Sequence, residues 1–145
     1  MAHKVEELDT WKLCNELVDR VAAATSQPRV AQDRKFCEQI NDAAGDALSD
    51  CAEGFARFYP SDHATFLGYA LASLEEVRTR AALGHKRKHF DDQTTSNLIN
   101  LCFRAEKAIK RLRAYLWSVD KKNLPPRPTV PANPRRPPRR RRKRP

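Results

Sequence analysis

Apolar side chains recur at spacings of three and four residues through most of the first 120 positions, and this periodicity constrains the fold more than any other feature. The spacing is that of α-helices with one buried face, whereas a half-buried strand would alternate at every second residue. Only two prolines, Pro28 and Pro60, fall in this stretch, and both lie between periodic segments. The pattern therefore predicts an all-α domain over residues 1–120.

Four amphipathic helices are predicted from the periodicity and its interruptions. The first spans Asp9 to Thr25, the second runs from about Asp33 to Glu53 ahead of Gly54, the third follows a cap at Ser61 or Asp62 and reaches Leu83 and Gly84, and the fourth starts at Asp91 or Asp92. The apolar stripe of the fourth helix includes Tyr115 and ends at Val119. Because short connections make consecutive helices antiparallel neighbours, we predict an up-down-up-down four-helix bundle.

Residues 121–145 have a different composition, which marks them as a separate segment. They contain 11 of the 28 basic residues and 8 of the 10 prolines, and no acidic residue. Such a segment cannot bury enough apolar surface to fold alone. We therefore predict a disordered Pro/Arg-rich C-terminal tail.

The formal net charge of +10 belongs to the tail, because residues 1–120 hold 17 basic and 18 acidic residues. Concentrated positive charge on a near-neutral body favours a polyanion partner, and nucleic acid more than an anionic membrane, since no amphipathic anchor accompanies the tail. Without an aromatic residue the tail cannot stack on bases, so we expect sequence-independent contacts with phosphate. The predicted nucleic-acid-binding residues of the tail are Arg135, Arg136, Arg139, Arg140, Arg141, Arg142, Lys143 and Arg144.

Two further groups of cations belong to the body. One is the cluster between the third and fourth helices, and the other lies along the fourth helix; we predict that both contact phosphate, through Lys86, Arg87, Lys88, Arg104, Lys107, Lys110 and Arg111. Plain solvent exposure is the alternative for the first group. A metal site at His85 and His89 is disfavoured because three cations separate them.

The second helix has the opposite bias, with acidic residues at steps of four: Glu38, Asp42, Asp46 and Asp50. In a simple bundle the second and fourth helices are diagonal and cannot pair within one subunit. We therefore predict that Asp42, Asp46 and Asp50 face the basic fourth helix of the next copy, in a ring-shaped homo-oligomer. A solvated acidic face is the alternative.

Motifs for catalysis and cofactors are missing from the sequence. It contains no P-loop, no Gly-rich dinucleotide motif, no nucleophile elbow and no Glu-x-x-His pair, so we predict a non-enzymatic protein without a cofactor or metal. Three of the four cysteines, Cys14, Cys51 and Cys102, fall on apolar stripes and are expected to be small buried hydrophobes rather than disulfide partners or zinc ligands. No signal peptide or membrane span is recognisable, so we expect a cytoplasmic protein.

Two sequence blocks resemble a known family. Residues Gln39-Ile40-Asn41-Asp42-Ala43-Ala44, then Ala52-Glu53-Gly54-Phe55-Ala56-Arg57, precede Phe66-Leu67-Gly68-Tyr69-Ala70-Leu71-Ala72-Ser73-Leu74-Glu75-Glu76, and Trp11 stands early in the first helix. Over about residues 8–117 the chain resembles the four-helix-bundle family of 23S ribosomal-RNA intervening-sequence proteins. The resemblance implies a cytosolic bacterial homo-oligomer with no established enzymatic activity. A related branch, the accessory variability proteins of diversity-generating retroelements, forms basic pentameric barrels that bind nucleic acid and a reverse transcriptase.

The sequence thus predicts a helical bundle that binds RNA or DNA without sequence preference and assembles into a ring, with five subunits in the related branch. An accessory role beside a reverse transcriptase or another RNA-processing enzyme is implied by the resemblance. The alternative is a protein-interaction scaffold, because Pro125-Pro126-Arg127-Pro128 forms a P-x-x-P motif.

Overall fold

A computed structural model describes residues 4–119 and 124–126. A single 3-10 turn at Val5–Glu7 is followed by five α-helices: α1 Asp9–Thr25, α2 Pro28–Ala31, α3 Arg34–Phe55, α4 Pro60–Lys86 and α5 Asp92–Ser118. No strand occurs in these ranges. The predicted all-α class is confirmed, and the four predicted helices correspond to α1, α3, α4 and α5. The single turn α2 was not predicted from the sequence, although Pro28 at its first position suits a helix start.

The four long helices form the predicted up-down-up-down bundle. Helix α1 packs on α3 and α5, and α4 also packs on α3 and α5. The diagonal pairs are α1 with α4 and α3 with α5. Their described Cα atoms all lie more than 8 Å apart. At about 1.5 Å per residue, α5 is about 40 Å long, so the two ends of the bundle are far apart. The α4–α5 connection lies at one end, and the α3–α4 connection lies at the other with the end of α5.

Aspartate side chains cap two of the long helices. The Asp33 carboxylate accepts from the backbone N–H of Phe36 at 3.3 Å, and the Asp91 carboxylate accepts from Thr94 at 2.7 Å. The predicted start of the last helix is thereby confirmed. The predicted cap at Ser61 or Asp62 is wrong, because both residues lie inside the first turn of α4. That helix begins at Pro60, whose fixed φ suits the first helical position and whose missing N–H needs no partner there.

Glycines in α3 and α4 permit close packing and do not end their helices. A Cβ atom on Gly84 would lie 2.6 Å from the ring of Phe90 and 2.8 Å from that of Phe36, and α4 continues past it to Lys86. A Cβ atom on Gly54 would lie 2.9 Å from His63. Both positions therefore require the absence of a side chain.

The α4 terminus is closed by a non-glycine residue in the left-handed region, Lys88 with φ of 61°. The His89 N–H donates to the Gly84 carbonyl at 2.8 Å, and the Lys88 N–H donates to that of His85 at 3.0 Å. This is the Schellman pattern, in which glycine usually occupies the position of Lys88. The turn is additionally held by Arg29, which donates to the carbonyls of Lys88 and His89.

The apolar stripes of the four long helices meet in one core. Two residues predicted to belong to the stripe of the last helix do not lie in it. Tyr115 is 60% exposed, because Leu116 takes the buried position of that turn and leaves the phenol in solvent. Val119 lies beyond α5 with an extended backbone. No helix within the described ranges is both long and apolar enough to cross a bilayer.

The three core cysteines are buried thiols, as predicted. Cys14 on α1 and Cys51 on α3 place their sulfur atoms 3.8 Å apart, and all four cysteines are free. A hydrogen bond with Cys51 and burial raise the pKa of Cys14, while burial and the charge of Glu106 raise the pKa of Cys102 to about 12. The thiols of Cys14 and Cys102 are therefore neutral at physiological pH, and all three buried cysteines act as small apolar side chains.

We predict opposite stability effects for two glycine-to-alanine substitutions. Gly84→Ala should destabilise the fold by about 1–3 kcal/mol, because the new methyl group overlaps two aromatic rings. Gly45→Ala is the matched control: it adds a methyl group that meets nothing within 4 Å outside the local backbone of α3, and it should stabilise α3 by about 1 kcal/mol. Urea unfolding followed by circular dichroism measures both, and a Gly84→Ala variant as stable as wild type would contradict the packing described.

Candidate nucleic-acid interface

The cations predicted along the last helix lie together on the surface of α5. Arg104, Lys107, Lys110 and Arg111 are all exposed, and within the described ranges none of them forms an ion pair. Their charges are therefore not neutralised by the body of the subunit. This is the arrangement that a phosphate-binding surface needs, because each cation can exchange water for a phosphate oxygen.

Two charged side chains of the same helix have structural roles instead. The Arg113 Nε donates to the Ala64 carbonyl at 3.2 Å and ties α5 to α4. Glu106 is buried and accepts from the Arg78 guanidinium at 3.0 and 3.1 Å. The guanidinium of Arg78 also lies over the Phe103 ring, 4.7 Å from its centroid. Arg78, Glu106 and Phe103 thus form a fixed unit between α4 and α5.

Sequence reasoning missed an aromatic component of this surface. Phe103 is 52% exposed and Trp117 is 49% exposed. Steps of four, three, four and three residues place Phe103, Lys107, Lys110, Ala114 and Trp117 on one side of the helix, which we call the α5 outer face. A shallow groove of about 420 Å³ runs along it, lined by Phe103, Glu106, Lys107, Lys110, Arg111 and Ala114. The residue spacing was the signal that could have revealed this face.

The basic cluster between α4 and α5 is only partly available. Lys86 is the last residue of α4, and both Lys86 and Lys88 are exposed without an ion pair within the described residues. Arg87 differs, because its guanidinium pairs with the Asp33 carboxylate at 3.2 Å. Arg87 is therefore already neutralised by a carboxylate 54 positions away, which no local pattern could have predicted.

The histidines beside this cluster point to separate carboxylates. His85 Nε2 lies 2.6 Å from an oxygen of Asp92, and His89 Nε2 lies 2.9 Å from an oxygen of Asp33. The described part of the chain contains no group of three His, Cys, Asp or Glu residues that could hold a metal ion. The two rings therefore serve as hydrogen-bond partners at the α4–α5 end of the bundle.

The acidic stripe lies on the corner of the bundle opposite to α5. Asp42 and Asp46 are exposed and Asp50 is half-buried, and within the described ranges none of the three forms an ion pair. Burial and the nearby charges of Asp46 and Glu53 raise the pKa of Asp50. Since α3 and α5 are diagonal, the acidic and basic stripes cannot neutralise each other within one subunit.

The start of the tail lies against the opposite end of the bundle from Lys86 and Lys88. The Tyr59 hydroxyl donates to the carbonyl oxygens of Pro125 and Pro126, at 3.2 and 3.3 Å. The predicted tail cations, Arg135 to Arg144, lie outside the described residues. Among the described residues, the α5 cations begin at Arg104, 12 positions or about 18 Å along the helix after Asp92, so they do not form one patch with Lys86 and Lys88.

Comparison with known proteins identifies a family relationship. The sequence model of a family described as 23S rRNA-intervening sequence protein matches residues 6–111. The matched range includes α1 to α4, the acidic stripe and the cations of α5. No curated protein matches the chain.

We predict a pH-dependent contribution of Asp33 to stability. The hydrogen bond from His89, the N–H of Phe36 and the charge of Arg87 lower the pKa of Asp33. A depressed folded-state pKa contributes stability at neutral pH that is lost as the pH falls through that value, below about pH 4. Asp33→Asn retains the helix cap but loses the charge, so its melting temperature should be lower than wild type at pH 7, with a difference that narrows towards pH 3.

The matched control is Asp19→Asn, which removes an exposed carboxylate of α1 without an ion pair in the described chain. It should leave the melting temperature at pH 7 nearly unchanged. A difference between Asp33→Asn and wild type that stays constant from pH 7 to pH 3 would show that the Asp33 charge is not responsible.

Proposed function

Since the chain belongs to the family of 23S rRNA-intervening sequence proteins, we propose that it is a non-enzymatic protein that binds RNA or DNA through the phosphate backbone. The observation that carries the proposal is the set of exposed, unneutralised cations on α5: Arg104, Lys107, Lys110 and Arg111. These cations add to the 11 of the tail. Counterion release from phosphates would supply the affinity and make it strongly dependent on salt.

The positions of the charges on the subunit support this proposal, in addition to the net charge of the chain. Residues 1–120 are nearly neutral, but α3 carries an excess of acidic side chains and the diagonal helix α5 carries an excess of basic ones. The basic side therefore presents a positive potential although the body as a whole has almost no net charge. A polyanion can approach α5 without facing the acidic stripe of α3.

We also infer a homo-oligomer in which the acidic stripe of one subunit contacts α5 of the next. The unpaired carboxylates of Asp42 and Asp46 favour such a contact, and its head-to-tail geometry would close into a ring. Phosphate and a neighbouring α3 would compete for the same α5 cations, so the 11 cations of the tail would have to supply the affinity wherever α3 occupies α5. An accessory role beside a reverse transcriptase or another RNA-processing enzyme is a narrower proposal that rests on the family resemblance.

The scaffold alternative has less support. Its P-x-x-P motif begins at Pro125, and the carbonyls of Pro125 and Pro126 already accept from Tyr59 of the same chain. A protein partner of the motif would have to displace this contact.

We predict that removing the tail weakens binding and lowers its salt dependence. Truncation after Pro126 keeps the contact with Tyr59 and removes 9 cations. Because each neutralised phosphate contributes about 0.9 to the slope of log K against log salt, the slope should become smaller by up to about 8. Fluorescence anisotropy with labelled RNA and DNA, over a salt series, measures both quantities. If the full chain binds neither at moderate salt, the proposed function fails; equal binding by the truncated chain would exclude the tail.

We predict that charge reversal on α3 dissociates the oligomer. Asp42→Lys with Asp46→Lys places cations where the next subunit presents its own, so the mass measured by light scattering should fall. The matched control is Asp19→Lys with Glu75→Lys, which makes the same charge change at exposed positions of α1 and α4. An unchanged mass in the α3 variant, or an equal fall in the control, would contradict the proposed contact.

A further inference from the structure

The α5 outer face combines aromatic rings and cations in a way that phosphate binding alone does not require. Its aromatic ends, Phe103 and Trp117, are 14 residues apart, or about 21 Å along the helix axis. Lys107 and Lys110 lie between them, and both ammonium groups are exposed. A purely electrostatic surface gains nothing from half-exposed rings, which cost free energy in water.

We propose that the α5 outer face binds single-stranded nucleic acid, with an unpaired base stacked on Phe103 and the neighbouring phosphates on Lys107 and Lys110. The inference rests on the proposed nucleic-acid binding and names the class of ligand. Every base has a face that can stack on an aromatic ring, so such binding is tolerant of sequence. In a duplex those faces are covered by neighbouring base pairs, and the Phe103 ring finds no partner.

The Phe103 ring packs against the ion pair that joins α4 to α5. Arg78 covers one of its faces at 4.7 Å, and the buried carboxylate of Glu106 holds Arg78 through two contacts of 3.0 and 3.1 Å. More than half of the Phe103 surface remains exposed beside the groove. A base therefore meets a preorganised ring, which reduces the entropy that binding must overcome.

A contact with the acidic stripe of the next subunit would account for only part of this face. The acidic stripe of α3 offers carboxylates to the lysines but no apolar surface to Phe103 or Trp117. Nucleic acid offers phosphates to the lysines and a base face to the Phe103 ring, so it matches both components.

The inference is tested by comparing a labelled oligothymidylate with a duplex of the same length, using the full chain. Phe103→Leu keeps the apolar volume beside Arg78 but removes the aromatic face. At about 1–3 kcal/mol per stacked base, it should weaken binding of the single strand by about tenfold, and it should leave duplex binding unchanged. The salt slope should also be unchanged, because no cation is lost. Phe103→Tyr should bind the single strand as wild type does.

Two matched variants make the result specific. Lys107→Gln should weaken the binding of both ligands, because it removes one phosphate contact, and should reduce the salt slope by about 0.9 for the duplex and about 0.7 for the single strand. Phe58→Leu alters a ring that is 68% exposed at the α3–α4 connection, away from α5, and should change neither affinity.

Several outcomes would overturn the inference. Unchanged single-strand binding by Phe103→Leu would exclude stacking on this ring, and equal losses for strand and duplex would exclude selectivity for unpaired bases. A fall in the mass of the assembly in Phe103→Leu would assign the face to a subunit contact. In each case the wild-type chain still binds nucleic acid, so these failures are distinguishable from failure of the proposed function, in which it binds neither ligand.

Discussion

The arrangement of the subunit depends on the close approach of α3 to α4. Small residues make that approach possible: neither Gly54 nor Gly84 has room for a Cβ atom, and Ala43, Ala44, Ala47, Ala64 and Ala70 are fully buried or nearly so. With α3 and α4 fixed against each other, α1 and α5 occupy the remaining two corners of the bundle. The acidic and basic helices are diagonal as a direct consequence. Packing of apolar and small side chains thus determines where the charges are displayed.

How far the sequence predicts this structure depends on the range of the interaction concerned. The bounds of α1 and the cap at Asp91 agree with the sequence prediction, because periodicity and caps are local properties. The pairing of Asp33 with Arg87 and His89 joins distant positions and requires the folded bundle. The exposure of Tyr115 was also unpredictable from the stripe alone, because a neighbouring residue, Leu116, took the buried position.

In the candidate site, too, local properties were predictable from the sequence and tertiary contacts were not. The exposed cations of α5 were predicted as a group, since a run of basic residues on an amphipathic helix must face solvent. The role of Arg78 was not predictable, because it depends on a contact between two helices that places its guanidinium against Phe103 and Glu106. Arg87 was expected to behave like its neighbours Lys86 and Lys88, yet its ion pair with Asp33 commits it to the subunit itself. A basic residue of the sequence is therefore available to a partner only when the fold places no carboxylate or carbonyl oxygen beside its side chain.

The contact of Tyr59 with Pro125 and Pro126 gives the tail a defined point of origin. This point lies at the α3–α4 end of the bundle, whereas Lys86 and Lys88 lie at the other end, about 40 Å away along α5. Nine basic residues follow Pro126 in the sequence. The polypeptide therefore enters its most basic segment at the end of the bundle remote from Lys86 and Lys88. The anchor at Tyr59, and not any cation, decides at which end those nine charges begin.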